Sequence, residues 1–138
     1  MILHLKSKIG DVKALFPAAE AFSKASGCGL LLLGTGAAAS ERHLLVCRHL
    51  AERAFADKHN LAKSLKNETL LFVAATMKID RAIGRAGVKD PHDFVVFALG
   101  KCDKSKILEA LEARELPIKF AGNELGMIER SALSRIKE

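Results

Sequence analysis

The chain opens on ILHLKSK, starting at Ile2, where apolar and polar residues alternate with the period of a half-buried strand. Behind it Val12, Leu15, Phe16, Ala19 and Phe22 recur at helical spacing, with Pro17 either early in that helix or kinking it. Gly27 and Gly29 end the run, and LLLLG reads as a short buried strand. Ser40, followed by Glu41, is a good N-cap for a second helix. Its core face is Leu44, Cys47, Leu50, Ala51, Ala54 and Phe55, while Arg42, Val46, His49 and Arg53 fall on the opposite face with Leu45 beside them. Leu61 to Ala86 is helical in pattern, with two helices meeting near Thr76 and Gly87 as a stop. The continuous apolar run in DFVVFALG predicts a strand buried on both faces. Asp103 caps the helix KSKILEALEARE, which Pro117 stops, and IKFAG is predicted as a brief strand. A last helix from Asn123 carries Leu125, Ile128, Ala132 and Ile136 as its core stripe. The order is β-α-β-α-α-α-β-α-β-α. It predicts an α/β (α+β) fold, a single domain over residues 1–138 with one small mixed sheet flanked by helices.

Composition narrows the partners more than the fold. The 138 residues are 49% hydrophobic, as a folded chain requires, and carry 22 Lys and Arg against 16 Asp and Glu, a net charge of +6 that favours acidic partners. Seven Phe with no Trp or Tyr leave few candidates for an aromatic platform that stacks on bases. Three cysteines, Cys28, Cys47 and Cys102, at unrelated spacings predict free thiols in a reducing compartment, so a cytoplasmic location is expected. No window approaches 18 uncharged apolar residues, and MILHLKSK has no long apolar stretch behind a basic leader; neither a membrane span nor an export signal is expected.

The charge has a local concentration. In MKIDRAIGRAGVK, read as a helix, Lys78, Arg81, Arg85 and Lys89 follow one another at steps of three, four and four, close to one face. Like charges at that spacing repel by a few tenths of a kcal/mol per pair, roughly. Such a stripe is either screened by water or matched by an anionic partner. Ile79, Ala82, Ile83 and Ala86 lie about a quarter turn away and are expected to pack inward, although Ile79, in the first turn, could stay accessible beside Lys78.

Catalytic chemistry finds little foothold. GTGAAA, Gly34 to Ala39, between a strand and a helix fits G-x-G-x-x-[GA], the turn that lets backbone N–H groups approach a pyrophosphate. It follows the second strand rather than the first, and the acidic position about 20 residues on is Asp57, in helical sequence. His43 and Cys47 are four apart and could share a metal, yet no second ligand pair accompanies them. There is no G-x-S-x-G elbow, P-loop or H-E-x-x-H. The expectation is a protein without enzymatic activity, catalytic residues, cofactor or metal; the alternatives are a nucleotide- or dinucleotide-binding enzyme using the Gly34 to Ala39 turn, or an interaction module without RNA binding.

The runs SERHLLVCRHLAERAF, NLAKSLKNETLLFVAATMKIDRAIGRAGVK and FVVFALG together resemble the small tRNA-binding and kinase-binding subunit of the KEOPS complex, the family of the PRPK-binding protein, over roughly residues 30 to 100. The resemblance implies a non-catalytic subunit of a tRNA-modifying complex that forms threonylcarbamoyladenosine beside the anticodon. Such a subunit binds the N-lobe of a small atypical kinase or ATPase and helps recruit tRNA through its 3′ CCA end. Carried onto this chain, the family's triplet falls on Lys78, Ile79 and Asp80, where Asp80 departs from the usual aliphatic, and a second short motif falls on Arg42, His43 and Leu44. The implied tRNA-binding set is therefore Lys78, Ile79, Arg81, Arg85, Lys89, Arg42 and His43. Met127 and Leu133, outside the centre of the last helix's stripe, are the implied kinase contacts.

Overall fold

The computed structural model describes residues 1 to 137, with side chains to residue 135. Its elements follow the expected order: β1 (Ile2–Ser7), α1 (Val12–Ser26), β2 (Gly29–Gly34), α2 (Glu41–Ala56), α3 (Leu65–Ala74), α4 (Ile79–Ala86), β3 (Phe94–Leu99), α5 (Lys104–Ala110), β4 (Ala113–Glu115) and α6 (Glu124–Lys137). They form two compact units, each built from two separated stretches of chain: residues 1–35 with 88–119, and residues 36–87 with 120–138.

The first unit holds the sheet, in the order β2-β3-β1-β4 with every pairing antiparallel. The α/β class is as expected, and the pairing is uniform rather than mixed. β3 is central and all six of its residues are buried, as its unbroken apolar run requires. Leu3 and Leu5 of β1, Leu30 and Leu32 of β2, and Phe94, Val96 and Ala98 of β3 share one face and pack with Leu15 and Ala19 of α1 and with Ile107 and Leu111. Each such leucine contributes about 1.5–3 kcal/mol by leaving water. Asp11 caps α1 by accepting from the Lys13 N–H, and Gly27, at φ 74°, closes it with an N–H to the Ser23 carbonyl in the left-handed turn glycine adopts freely. Phe16, placed on the apolar stripe by its spacing, is 40% exposed.

Two expectations fail here. The fourth strand is Ala113–Glu115, inside the stretch read as helix, and residues 118 to 122 are not a strand. Glu112, at φ 48°, turns the chain out of α5, and pairing of Arg114 with Lys6 across the sheet edge makes the strand. Cys28 and Cys102 form a disulfide, with Cα atoms 5.7 Å apart, where free thiols were expected. Their spacing of 74 residues gives no hint of it. Antiparallel pairing of Gly29 with Leu99 brings the start of β2 beside the end of β3.

The second unit is helical. Ser40 caps α2 by accepting from the His43 N–H, and Ser64 caps α3 by accepting from the Asn67 N–H. α3 is buried from Glu68 through Ala74 and ends at Ala75, which is left-handed at φ 53°. The inward face of α2 is His43, Leu44, Cys47 and Ala51, shifted toward His43 from the expected stripe, while Arg42, Leu45, His49 and Arg53 are exposed. α6 departs further. Leu125 is 80% exposed and Ala132 is exposed, whereas Ser131 and Ser134 are buried. The expected core stripe thus points largely outward, apart from half-buried Ile128; the side chain of Ile136 lies outside the described residues. α6 meets α2 and α3 through a polar seam.

Candidate nucleic-acid interface

α4 is short and strongly two-sided. Ala82 and Ala86 are its buried residues, and α4 packs against α3. Ile79 and Ile83, one turn apart, stay 37% and 53% exposed, so Ile83 does not pack inward as expected. Lys78, the N-cap, and Arg81 and Arg85 on the helix are all exposed near these isoleucines in sequence. The helix must end where it does: Gly87 leaves it at ψ 156°, and a Cβ there would sit 2.5 Å from the Ile83 carbonyl oxygen.

The four-cation stripe does not survive as one helical face. Lys78 precedes the helical residues, Lys89 lies beyond their end and belongs to the sheet-bearing unit, and only Arg81 and Arg85 are within α4. Arg85 has a structural task as well. Its Nη1 donates to the Ala74 carbonyl at 3.3 Å and to the Ala75 carbonyl at 3.5 Å, satisfying acceptors left over at the end of α3. That anchors the guanidinium in place.

Arg85 also lines a groove of about 810 Å³ with Ala75, Gly126, Glu129, Arg130 and Leu133, and a recess of about 170 Å³ with Gly36, Ala37, Val73, Met127 and Arg130. The structure therefore brings Arg85 together with Met127 and Leu133, both half-buried, and adds Arg130. Sequence reasoning missed Arg130 and the exposure of Ile83. Both depend on which faces α4 and α6 turn to α3, and the 14-residue pattern of α6 misleads about its own orientation.

Arg42 is an exposed cation, its side chain 74% accessible, with Nε 3.9 Å from Glu124 Oε1, a surface pair of little energetic weight. His43 is fully buried and cannot touch a ligand directly, which removes it from the contact set. Its Nδ1 accepts the Ala39 N–H at 3.1 Å, and its Nε2 lies 3.2 Å from Ser131 Oγ, which Cys47 Sγ also approaches at 3.5 Å. Burial, then the Arg130 charge, pull the imidazole below its usual value, against a smaller opposing effect of Glu124. Burial pushes the Cys47 thiol up to about 12. A neutral thiol packed against a hydroxyl is no nucleophile. Among the described residues no group of three His, Cys, Asp or Glu is placed to hold a metal ion.

The glycine turn lacks the setting a pyrophosphate needs. β2 is an edge strand in an antiparallel sheet rather than part of a parallel crossover, and two donors near the start of α2 are taken, the Ala39 N–H by His43 and the His43 N–H by Ser40. Asp57 is the C-cap of α2 and does not end a strand.

In the sheet-bearing unit a groove of about 870 Å³ is lined by cations, Lys6, Lys8 and Arg114, and by Glu109 and Glu112, so its charge is mixed. A separate cluster joins His4, 3% exposed, to Asp93 through Nε2 and to the Pro117 carbonyl through Nδ1 at 2.9 Å. Thr35 Oγ1 donates to Asp93 Oδ1 at 2.8 Å. Hydrogen bonds from His4 and then Thr35 hold the Asp93 carboxyl below its ordinary value. No described helix is long and apolar enough to cross a membrane. Set beside known proteins, the chain matches no protein-family model and no curated protein.

Proposed function

We propose that the protein is a non-catalytic subunit of the KEOPS tRNA-modifying complex, holding the tRNA 3′ CCA end on α4 and binding the small kinase or ATPase subunit through α6. The observation that carries the RNA half is the pair Ile79 and Ile83, 37% and 53% exposed on a helix whose other surface residues include Arg81 and Arg85. Guanidinium and ammonium groups neutralise phosphates, which supplies most of the affinity for a single strand. An isoleucine can cover a base face where no Trp or Tyr is present to stack, more weakly than a ring would. Arg130 lines the same groove as Arg85 and adds a second cation to it, while His43, fully buried, makes no direct contact.

The kinase half rests on likeness to the KEOPS subunit in sequence and on the exposed apolar surface of α6. Leu125, at 80% exposure, is its most accessible apolar side chain among the described residues, while Leu133 lines the groove and Met127 the smaller recess. Central apolar anchors of this type tend to dominate helix-mediated interfaces.

Binding of unmodified tRNA to a set of α4 variants tests the RNA half. Arg81→Ala should make the log-log salt dependence shallower by about 0.7, the slope of one single-strand phosphate contact. Ile79→Ala and Ile83→Ala should weaken binding with the slope unchanged. Wild-type affinity in all three refutes the assignment.

A further inference from the structure

One of the ties between α6 and the rest of its unit runs through an uncharged imidazole. The Gly122 N–H, just before α6, donates to the Ala39 carbonyl, and the Ala39 N–H donates to His43 Nδ1. A nitrogen that accepts carries no proton, so neutral His43 has its hydrogen on Nε2, which donates to Ser131 Oγ on α6. His43 thus ties together the segment at residues 38–39, α2 and α6, from a fully enclosed position.

From this geometry we propose that His43 is a pH-operated latch: a second proton on its ring releases α6 from α2. The proton would have to sit on Nδ1, turning it into a donor aimed at the Ala39 N–H, also a donor. The Ala39 bond is then lost and a cation is left in a site closed to water. The charged groups around it decide the balance. On α6, Arg130 opposes the added charge and Glu124 favours it, and Glu124 is already shared with Arg42 of α2. Cys47 on α2 is neutral at any physiological pH and offers no countercharge. From α3 the buried carboxylate is Glu68, committed to Arg135 one turn beyond Ser131. The segment at 38–39 is alanine and contributes no charge.

The seam suits release. Among the described residues the only buried side chains of α6 are Ser131 and Ser134, with Met127, Ile128 and Leu133 half-buried, so no fully buried apolar anchor opposes opening on the α2 side, while Arg135 stays paired with Glu68 of α3. Once α6 opens, His43 titrates as an ordinary imidazole. Below that ordinary value each pH unit therefore favours the open form by up to tenfold until the closed form is itself protonated.

Amide hydrogen exchange of the intact protein from pH 8 to pH 5, corrected for intrinsic exchange rates, tests the latch. Opening of α6 should increase by up to about tenfold per pH unit below pH 6.5, while α3 amides from Leu71 to Ala74 keep their protection. His43→Gln, which can still accept and donate, should flatten the α6 profile. If that variant does not fold, nitrogen chemical shifts of the wild-type ring at pH 8 give the second reading: the Nε2–H tautomer is expected. A flat α6 profile in the wild type, joint loss of α3 and α6, an unchanged profile in His43→Gln, or the Nδ1–H tautomer overturns the proposal.

Discussion

Arg135 Nη2 lies 3.0 Å from Glu68 Oε2, and the same guanidinium covers the Phe72 ring at 4.3 Å from its centre. Glu68 is fully buried, and its carboxylate also accepts the N–H groups of Leu61 and Ala62, at 3.0 and 2.8 Å from Oε1. The guanidinium meets the carboxylate outside hydrogen-bond geometry, so the pairing is coulombic and the backbone donors supply the directed bonds. One buried side chain therefore fixes both the loop before α3 and the far end of the α6 seam.

Removing Glu68 should be costly. Glu68→Ala strands two backbone N–H groups and an arginine, and urea unfolding followed by circular dichroism should show a loss of about 3–5 kcal/mol. Arg135→Ala should cost less, because the carboxylate keeps its backbone donors. Equal losses for the two would show that the ion pair, rather than the loop, carries the effect.

The Cys28–Cys102 bridge closes a long stretch of chain, with 74 residues of separation, and should stabilise by about 4 kcal/mol if it acts by restricting the unfolded state. Guanidinium unfolding with and without reductant should differ by that order, and a thiol count in denaturant should give one free cysteine before reduction and three after. Cys47, buried with its thiol pushed up to about 12, should stay unreactive at pH 8 in the folded protein.

Acid should act on the sheet-bearing unit through Asp93. Its carboxyl is held below the ordinary value by His4 and Thr35, so it binds a proton less readily folded than unfolded. The stability this supplies is present above the ordinary carboxylate range and is lost as pH falls through that range toward the folded value. Asp93→Asn should flatten the stability profile below pH 4.5, measured by thermal unfolding; an unchanged profile would assign the acid response to other carboxylates.

Gly84, inside α4, and Gly87, just past its end, should respond in opposite senses. Gly87→Ala drives a Cβ into the Ile83 carbonyl oxygen at 2.5 Å, a backbone atom with little room to yield, and should destabilise the protein. Gly84→Ala meets nothing within 4 Å inside a helix and should stabilise it by up to about 1 kcal/mol. Differential scanning calorimetry of the two variants reads both signs.

Apart from the fourth strand, the order of the elements was legible because hydrophobic period and capping agree along most of the chain: Ser40 caps α2, and the run through Phe94 to Leu99 has the length and apolarity of a central strand. What failed has non-local causes. Ala113–Glu115 is a strand only because Lys6 lies opposite Arg114, and the cysteine pair exists only because β2 runs antiparallel to β3. α6 misled in a different way. Leu125, Ile128 and Ala132 form a convincing apolar stripe, but the helix turns Ser131 and Ser134 inward, with Ser131 meeting His43 of α2, and sets Arg135 against Glu68 of α3. At the candidate site, Lys78, Ile79, Arg81 and Arg85 were nominated from local pattern and are all exposed, whereas Arg130 reaches the groove only through the packing of α6.

In the proposed function, α4 holds the 3′ end of tRNA. Equilibrium binding of the wild-type protein to one tRNA, intact and with its terminal CCA removed, tests it most directly, with Ile79→Ala measured alongside. Trimming should weaken wild-type binding at least tenfold and erase most of the difference between wild type and Ile79→Ala. Equal affinity of the wild-type protein for intact and trimmed tRNA would contradict the claim and leave the cations of α4 as a solvated surface.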